Sequence, residues 1–360
     1  MAEEPQAPVE GLELDGPTGP IGSVEEVSTQ RPRLSIRQFG ARFAMLLVLA
    51  GFFGLFSALE PDLFPTWSNT RTIISSQAVL LILALSLLFP MRAGDFDLSM
   101  AANMSFGAAM AGAAVTYWGT SAWQAVVIAL ACGLGFGIFH AVMIVGFKLD
   151  AFIVTLGSLF LLTGLTFWVS GGRVFLMKNG ETLVDLSRHR ILGLQAAIFF
   201  AIALAIVIWY VFEFTAYGRY LLVVGDGSES ARLMGLSVKG IRASAFIITG
   251  ILASFSGVLL VGKLGAVDPS IGLNLLLPPY AAVFIGATVV QLGRFNVLGT
   301  VIGLYMLAVG ITGLQFLGAE PWVSNVFYGG GLIVAILFAR IIKEGGGVSG
   351  ARPPQRHVER

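Results

Sequence analysis

Residues 257–264 read Gly-Val-Leu-Leu-Val-Gly-Lys-Leu and nearly match the pattern of a phosphate-binding loop, G-x-x-x-x-G-K-[S/T]. In such a loop a strand leads into a helix, and the final Ser or Thr ligates Mg²⁺. Here Leu264 supplies no hydroxyl, and residues 245–256 form an apolar run that predicts a helix instead of a strand. We therefore expect this chain to bind no nucleotide, metal or other cofactor, so any ATP and Mg²⁺ used with it belong to another chain.

A second stretch places two carboxylates in an otherwise apolar region. Asp95 and Asp97 are followed by Ser99 and, one turn later, by Asn103. A carboxylate inside a membrane costs roughly 2.5–3.5 kcal/mol on insertion scales, so it needs a cavity or a partner. Ser99 is a candidate cap for the following helix, with Asp97 or Ser99 accepting from its free N–H groups. Two interpretations stay open: a cytoplasmic turn with ordinary caps, or a re-entrant element beside a transport pathway.

A third stretch combines an aromatic ring with hydroxyls. Thr155 and Ser158 lie three residues apart, on one face of a predicted helix, with Phe152 one turn earlier. Such a surface suits a sugar, which has an apolar face and a rim of hydroxyls. On spacing alone, however, the structural interpretation is favoured, because Ser and Thr in membrane helices mostly bond their own backbone or a neighbouring helix.

The largest predicted loop, residues 214–242, contains signals for a short helix. Ser228 can cap a helix over residues 229–234, and Gly235 can end it. The loop is either a solvated connector or a docking helix that transmits motion from a cytoplasmic motor. The pattern favours neither interpretation over the other.

The composition places these stretches in a membrane protein. The 360-residue chain is 56% hydrophobic and only 12% charged, whereas soluble domains carry about 25% charged residues. The net charge of +1 gives no indication of a nucleic-acid partner, and the single cysteine excludes a disulfide framework. Residues 1–38 and 344–360 are predicted to be tails, the first of them disordered, on either side of a transmembrane domain over residues 39–343.

Runs of about 20 apolar residues predict transmembrane helices, and we find ten. The fold class is therefore an all-α polytopic membrane protein. The third span is rich in small residues and the eighth is short, and such irregular spans in each half indicate a transport site between inverted repeats. The ten spans are approximately 40–59, 71–90, 98–117, 121–147, 151–170, 191–213, 243–262, 279–292, 296–317 and 322–342.

An even number of spans puts both termini on one side, which we assign to the cytoplasm. Most of the 22 Lys and Arg residues then fall inside, in agreement with the positive-inside rule. The exception is the outside loop 171–190, which we expect to lie on the membrane surface or to pack on a partner. Glycines 133–137 and 329–331 are predicted to be packing seams between helices.

From about residue 70 to residue 342 the chain resembles the membrane permease subunits of bacterial ABC importers for ribose, xylose, arabinose and related monosaccharides. Four ordered matches carry the resemblance. They are Gly94-Asp-Phe-Asp-Leu-Ser99; Phe152-Ile-Val-Thr-Leu-Gly157; Gly218-Arg219 followed by Ala231-Arg-Leu-Met-Gly-Leu236; and Val297-Leu-Gly-Thr-Val-Ile-Gly303.

The resemblance implies a subunit of the bacterial plasma membrane that performs no bond chemistry itself. Two permease chains would pair, as a homodimer or with a related chain, a soluble binding protein would deliver the sugar, and two cytoplasmic ATPase domains would dock near residues 225–236. The implied pathway residues are Asp95, Asp97, Ser99, Asn103, Phe152, Thr155, Ser158 and Phe284. The implied ATPase-coupling residues are Gly225, Ser228, Glu229, Arg232, Leu233 and Gly235.

Two alternatives remain at this stage. A permease for branched-chain amino acids or nucleosides would share the architecture and carry another cargo. A stand-alone ion-coupled carrier would need intramembrane charges, and the sparse charge of the spans argues against it.

Overall fold

The computed structural model describes residues 36–345 and is built almost entirely from helices. The predicted tails before and after these residues lie outside the described part. Four two-residue strands form two antiparallel pairs, β1 (Phe175–Leu176) with β4 (Ala266–Val267) and β2 (Arg190–Ile191) with β3 (Leu194–Gln195). The helices are α1 Ile36–Leu59, α2 Trp67–Ser76, α3 Ala78–Arg92, α4 Met100–Tyr117, α5 Ala122–His140 with a π-helical continuation over Ala141–Gly146, α6 Ala151–Ser170, α7 Glu181–Arg188, α8 Ala196–Phe214, α9 Ala216–Asp226, α10 Ser228–Leu233, α11 Val238–Leu264, α12 Ile271–Asn274, α13 Leu277–Gly286, α14 Val297–Phe316 and α15 Trp322–Gly345.

The predicted class of all-α polytopic membrane protein is confirmed. Among the described residues, six helical segments are long and apolar enough to cross a membrane, and three shorter apolar helices accompany them. Helix α6 has the predicted bounds, 151–170. The predicted second span is two helices, because α2 ends at Ser76 and α3 starts at Ala78.

Side-chain contacts show at which of the two ends of the bundle each segment between helices lies. At the first end, Gln291 donates to Glu213 over 3.0 Å, and the Arg92 guanidinium lies 4.1 Å from the centre of the Phe212 ring. At the second end, the rings of Phe64 and Phe316 are 6.0 Å apart, and β1 pairs with β4. The first end therefore holds the connections near residues 93–99, 214–237 and 287–296, and the second holds those near 60–66, 171–195 and 317–321.

Helix α11 is the centre of the bundle and packs against α3, α4 and α5. Small residues make this possible: a Cβ on Gly133 or Gly137 of α5 would collide with the backbone of α11. The predicted seam is thus confirmed at Gly133 and Gly137, since missing side chains let helix backbones approach in lipid, whereas a Cβ on Gly135 would meet no atom within 4 Å. The second predicted seam is wrong within the described residues, because a Cβ on Gly329 or Gly330 would meet no atom within 4 Å and one on Gly331 would make only ordinary contacts.

The segment that resembles a phosphate loop is the last part of α11. A Cβ on Gly257 would collide with the carbonyl oxygen of Met104 on α4, and one on Gly262 would collide with that of Leu183 on α7. The Lys263 ammonium donates to the carbonyl oxygen of Ser76 over 3.0 Å. Both glycines and the lysine therefore serve helix packing, and the helical context lacks the strand that a phosphate loop requires.

The loop 171–190, which we predicted to lie outside, packs on its own chain. Its helix α7 lies against α11, and Leu183 is buried there. Leu183 therefore packs within this chain, while Val174 and Leu176 remain exposed, and the expectation of a surface-lying or partner-bound loop stays a prediction. Helix α7 can pack here because Gly262 leaves room for its backbone, which could not be seen from the loop sequence.

Gly257→Leu is expected to destabilise the protein by at least ~1–3 kcal/mol, because a side chain at this position overpacks the contact between α4 and α11. Gly157→Leu on α6 is the matched control, since nothing lies within 4 Å of its Cβ position. Thermal unfolding of the two variants in detergent measures the difference. Equal transition midpoints would show that the α4–α11 contact is not as close as the structure places it.

Candidate functional site

The third span starts with buried backbone that is not helical. Residues 95–99 precede α4, and the side chains of Asp97 and Ser99 are buried. One carboxylate oxygen of Asp97 accepts from the backbone N–H of Ser99 over 3.0 Å and from its hydroxyl over 2.6 Å. Ser99 occupies the cap position of α4, but its side chain makes no capping hydrogen bond. Asp97, rather than Ser99, therefore satisfies the backbone at this helix start.

The eighth span begins with the same local arrangement at the opposite end of the bundle. Asp268 accepts from the N–H of Ser270 over 2.9 Å and from its hydroxyl over 2.7 Å, just before α12. Both irregular spans thus open with an Asp-x-Ser turn, and the two turns enter from opposite ends. This is the relation expected of inverted repeats, whose irregular segments are typical of transport sites. The predicted irregularity is confirmed for the eighth span, which is split into the short helices α12 and α13. Its predicted bounds, 279–292, are wrong, because α13 ends at Gly286. The third span is irregular only at its start, residues 95–99, because α4 is one continuous helix.

The two irregular spans meet inside the bundle. Gly272 of α12 approaches so closely that a Cβ there would lie 3.0 Å from the carbonyl oxygen of Ala101. Phe284 of α13 stacks on Phe96, with ring centres 6.5 Å apart. The buried Tyr280 hydroxyl lies beside Asp97 but has no hydrogen-bond partner of good geometry among the described residues. Ser105, whose Cβ would lie 2.9 Å from a Cβ on Gly272, likewise has a buried hydroxyl without a partner among the described residues. Two buried hydroxyls with spare hydrogen-bonding capacity therefore lie at the junction of the two spans.

Asp95 forms an ion pair that sequence reasoning did not find. The Arg242 guanidinium donates from Nε and Nη2 to the two oxygens of Asp95, both over 2.7 Å. A fork of this kind is among the stronger hydrogen-bond arrangements, because both partners are charged and two bonds form in parallel. It joins the turn before α4 to the first turns of α11. The available signal was Arg242 itself, next to an apolar span in which a lone charge requires a partner.

The other predicted pathway residues are more scattered. Asn103 donates to the carbonyl oxygen of Gly250 over 3.2 Å, and its own carbonyl oxygen is buried without a partner among the described residues. The Thr155 hydroxyl donates to Ala151 in its own helix over 2.8 Å, and Ser158 is buried. Phe152 is exposed and lies at the rim of a cleft. The three residues of the aromatic–hydroxyl stretch do not share one open surface. This agrees with the structural interpretation, in which Ser and Thr bond their own backbone or a neighbouring helix.

The cleft at the first end brings both predicted sets of residues together. We call it the coupling cleft; it has a volume of about 900 Å³. Asp95 and Phe152 come from the predicted pathway set, and Ser228 and Arg232 come from the predicted coupling set. Basic residues dominate its charged lining, which consists of Asp95, Lys148, Asp150, Arg232, Lys239 and Arg242.

The predicted loop 214–242 is mostly helical, which corrects the loop assignment. Helix α9 packs on the end of α3 so closely that a Cβ on Gly225 would collide with the carbonyl oxygen of Arg92. The hydroxyls of Tyr217 and Ser244 lie 2.8 Å apart and connect α9 to α11. Burial raises the pKa of Tyr217, so this phenol stays neutral and can donate. Helix α9 is therefore fixed to the bundle on two sides.

Helix α10 ends as predicted but begins differently. Gly235, at a φ of +78°, follows the helix; its N–H bonds Arg232 over 2.9 Å, and the N–H of Leu236 bonds Ala231 over 3.1 Å. These two bonds form a Schellman motif, which favours glycine. The prediction of Ser228 as a cap is wrong, because the cap position is Gly227 and Ser228 is the first helical residue.

The outer surface of α10 is unusually apolar for an exposed helix. Leu233 is 86% exposed and Met234 is 62% exposed. Glu229 and Arg232 are also exposed, whereas Ala231 is fully buried against the bundle. The short helix therefore presents two apolar and two charged side chains at the first end.

No group of three or more His, Cys, Asp or Glu side chains within residues 36–345 is placed to hold a metal ion. The candidate site is instead a buried polar junction between the third and eighth spans, connected through Asp95 and Arg242 to an exposed helix. Such a fold and site define a polytopic membrane transport protein. The chain belongs to the family described as branched-chain amino acid transport system / permease component, whose model matches residues 69–337.

Curated relatives extend this assignment. The chain is 26% identical to the L-arabinose ABC transporter permease protein AraH of Azospirillum brasilense, over 87% of this chain and 91% of AraH. It is 27% identical to the ribose import permease protein RbsC of Escherichia coli K12, over 81% of this chain and 91% of RbsC. A probable ABC transporter permease protein of Sinorhizobium fredii, y4mJ, is 30% identical over 77% of this chain and 83% of its own length. No solved structure matches the chain.

Asp95→Asn is expected to lower the free energy of unfolding by about 2 kcal/mol, because it leaves the Arg242 guanidinium without its anion. The loss is smaller than the ~3–5 kcal/mol of a fully buried pair, since Arg242 is partly exposed and screened by solvent. Thermal unfolding in detergent measures it. Asp150→Asn is the matched control, because the exposed Asp150 only caps α6 and asparagine caps helices equally well.

A double-mutant cycle separates the ion pair from other effects of the substitution. In an Arg242→Gln background, Asp95→Asn should cost little more, because the interaction has already been removed. Additive losses in the double variant would contradict the pairing of Asp95 with Arg242.

Proposed function

We propose that this protein is the transmembrane permease subunit of an ATP-binding-cassette importer for a monosaccharide. The observation that carries the proposal is the buried polar junction of the third and eighth spans, in a chain whose matched relatives include permeases named for arabinose, ribose, allose and fructose. Buried polar atoms with unused hydrogen-bonding capacity suit a cargo rich in hydroxyl groups. The chain positions and releases the cargo and does not break bonds in it.

In the proposed topology ten passages cross the bacterial plasma membrane, with the first end and both termini in the cytoplasm. The distribution of Lys and Arg in the sequence supports this orientation. The membrane boundary near the second end is supported by a set of exposed indoles at helix ends, since tryptophan is enriched at membrane interfaces. These are Trp67, Trp118, Trp123, Trp168 and Trp322.

The proposed partner at the first end is a cytoplasmic ATPase subunit that carries the nucleotide and Mg²⁺. Its docking surface is α10, where exposed Leu233 and Met234 supply apolar contacts and Glu229 and Arg232 supply charged ones. Gly235 fixes the end of this helix, and Gly225 holds α9 against α3.

Motion of the ATPase would reach the pathway through contiguous contacts. Displacing α10 would move α9 and the start of α11, where Arg242 forms the ion pair with Asp95. Asp95 lies two residues before Asp97, which holds the start of α4 beside α13. ATP-driven closure would therefore shift the junction of the irregular spans and switch access between the two sides. A second permease chain and an extracytoplasmic sugar-binding protein complete the proposed assembly.

Uptake measurements test the cargo and the energy source. Cells that express the complete importer should accumulate a labelled pentose or hexose, and unlabelled arabinose, ribose, allose or fructose should compete in turn. Uptake should stop when cellular ATP is depleted. Uptake of leucine in place of every sugar, or uptake that an uncoupler abolishes while ATP stays constant, would overturn the proposal.

Leu233→Asp is expected to abolish co-purification of the ATPase subunit with the tagged permease, because a charge replaces the most exposed apolar side chain of the docking helix, at its C-terminal end. The exposed position predicts unchanged thermal unfolding. Leu176→Asp is the matched control, since Leu176 is 75% exposed at the second end. An undiminished amount of ATPase with Leu233→Asp would remove α10 from the docking surface.

A further inference from the structure

A small basic pocket lies at the second end, away from the coupling cleft and from the junction of the irregular spans. Its volume is about 190 Å³, and α2, the β2–β3 pair and the end of α11 enclose it. Three cations line it without any carboxylate, together with hydroxyl and amide groups. The lining residues are Ser68, Arg71, Thr72, Ser75, Ser76, Arg190, Gly193, Gln195 and Lys263.

The cations are positioned by the fold but are not neutralised by it. Arg71 lies against Gly193, because a Cβ on Gly193 would come within 2.7 Å of the Nη1 atom of Arg71. The Arg71 guanidinium is 5.7 Å from the centre of the Trp67 ring. The Lys263 ammonium is directed into the structure by its bond to the Ser76 carbonyl oxygen. Among the described residues none of Arg71, Arg190 and Lys263 forms an ion pair. The pocket therefore offers three positive charges to an anion.

An almost purely apolar groove lies next to this pocket, along the outside of the bundle. Its volume is about 530 Å³, and it is lined by α3, α8, α14 and the end of α2. Ile74 of the groove adjoins Ser75 of the pocket, and Ile198 lies one turn below Gln195. Along α8 the groove extends to Trp209, which at 1.5 Å per residue is a length of about 16 Å.

We propose that the basic pocket and the apolar groove together bind one anionic phospholipid, with its headgroup phosphate in the pocket and an acyl chain in the groove. Phosphate oxygens accept charge-assisted hydrogen bonds from arginine and lysine. The groove has the polarity and the length of an acyl chain, and the nearby exposed Trp67 is of the type enriched at membrane interfaces. A free phosphate would leave the groove empty, and a second copy of this chain would have to bury three unpaired cations. The proposal does not depend on the cargo or on the ATPase.

Native mass spectrometry of the full-length purified chain, with phosphatidylglycerol added in steps to delipidated protein, tests the proposal. The wild type should retain one molecule of this lipid, and Arg71→Gln with Arg190→Gln should bind it at least about tenfold more weakly, because charged hydrogen bonds are lost. Arg173→Gln with Lys178→Gln is the matched control: both residues are exposed at the same end and lie outside the pocket. Equal binding by the two double variants, or no retained lipid in the wild type, would overturn the proposal.

A groove variant separates a phospholipid from the other occupants. Ala205→Trp fills the groove and should weaken retention of long-chain phosphatidylglycerol while the thermal midpoint without lipid stays unchanged. If inorganic phosphate raised the thermal midpoint of the delipidated protein as much as the lipid does, the pocket would be a simple anion site, which would contradict the proposal. Unchanged lipid retention together with a change from dimer to monomer would assign the groove to a second copy instead. Sugar uptake is a separate measurement, so failure here leaves the proposed function untouched.

Discussion

Backbone inside a membrane must find its hydrogen-bond partners within the protein, because the hydrocarbon offers none. Two spans of this protein begin with non-helical backbone, and an Asp-x-Ser turn satisfies part of it in both, Asp97 with Ser99 and Asp268 with Ser270. The Asp97 turn is buried, so other helices enclose it, whereas the Asp268 turn is exposed at the second end. The packing of α11 and α12 against α4, the helix of the third span, belongs to this enclosure.

Helix α11 provides that enclosure because one side of it is built from small residues. Gly250 and Gly257 let α5 and α4 approach the backbone of α11 closely. In lipid such contacts replace the hydrophobic effect as the source of helix association, since lipid tails are as apolar as leucine. The same glycine spacing gives residues 257–264 their misleading likeness to a phosphate loop. The pattern therefore suggested nucleotide binding at residues whose physical role is close helix packing.

The link between the first end and the junction of the irregular spans is electrostatic. Arg242 and Asp95 lie at the edge of the bundle, with side-chain exposures of 29% and 9%. A pair at this depth costs less to desolvate than a fully buried pair and is screened less than a surface pair. It can therefore hold the start of α4 firmly to α11. Gly225 has a complementary role, because the absent side chain keeps α9 in contact with the end of α3.

The sequence alone determined the fold class, because crossing a bilayer requires about 20 consecutive apolar residues and that requirement is local. Helix α6 matches its predicted bounds, and the irregular third and eighth spans and the end of α10 at Gly235 were also predictable, since small residues, prolines and turn glycines act over a few positions. The tertiary structure decided the rest. The partner of Asp95 is 147 residues away, and the room that Gly262 leaves for α7 depends on how two distant segments pack. The placement of Thr155 against its own backbone and of Phe152 at the cleft likewise required the assembled bundle. Local periodicity specifies which residues form a helix, but contacts between distant helices decide which side chains meet.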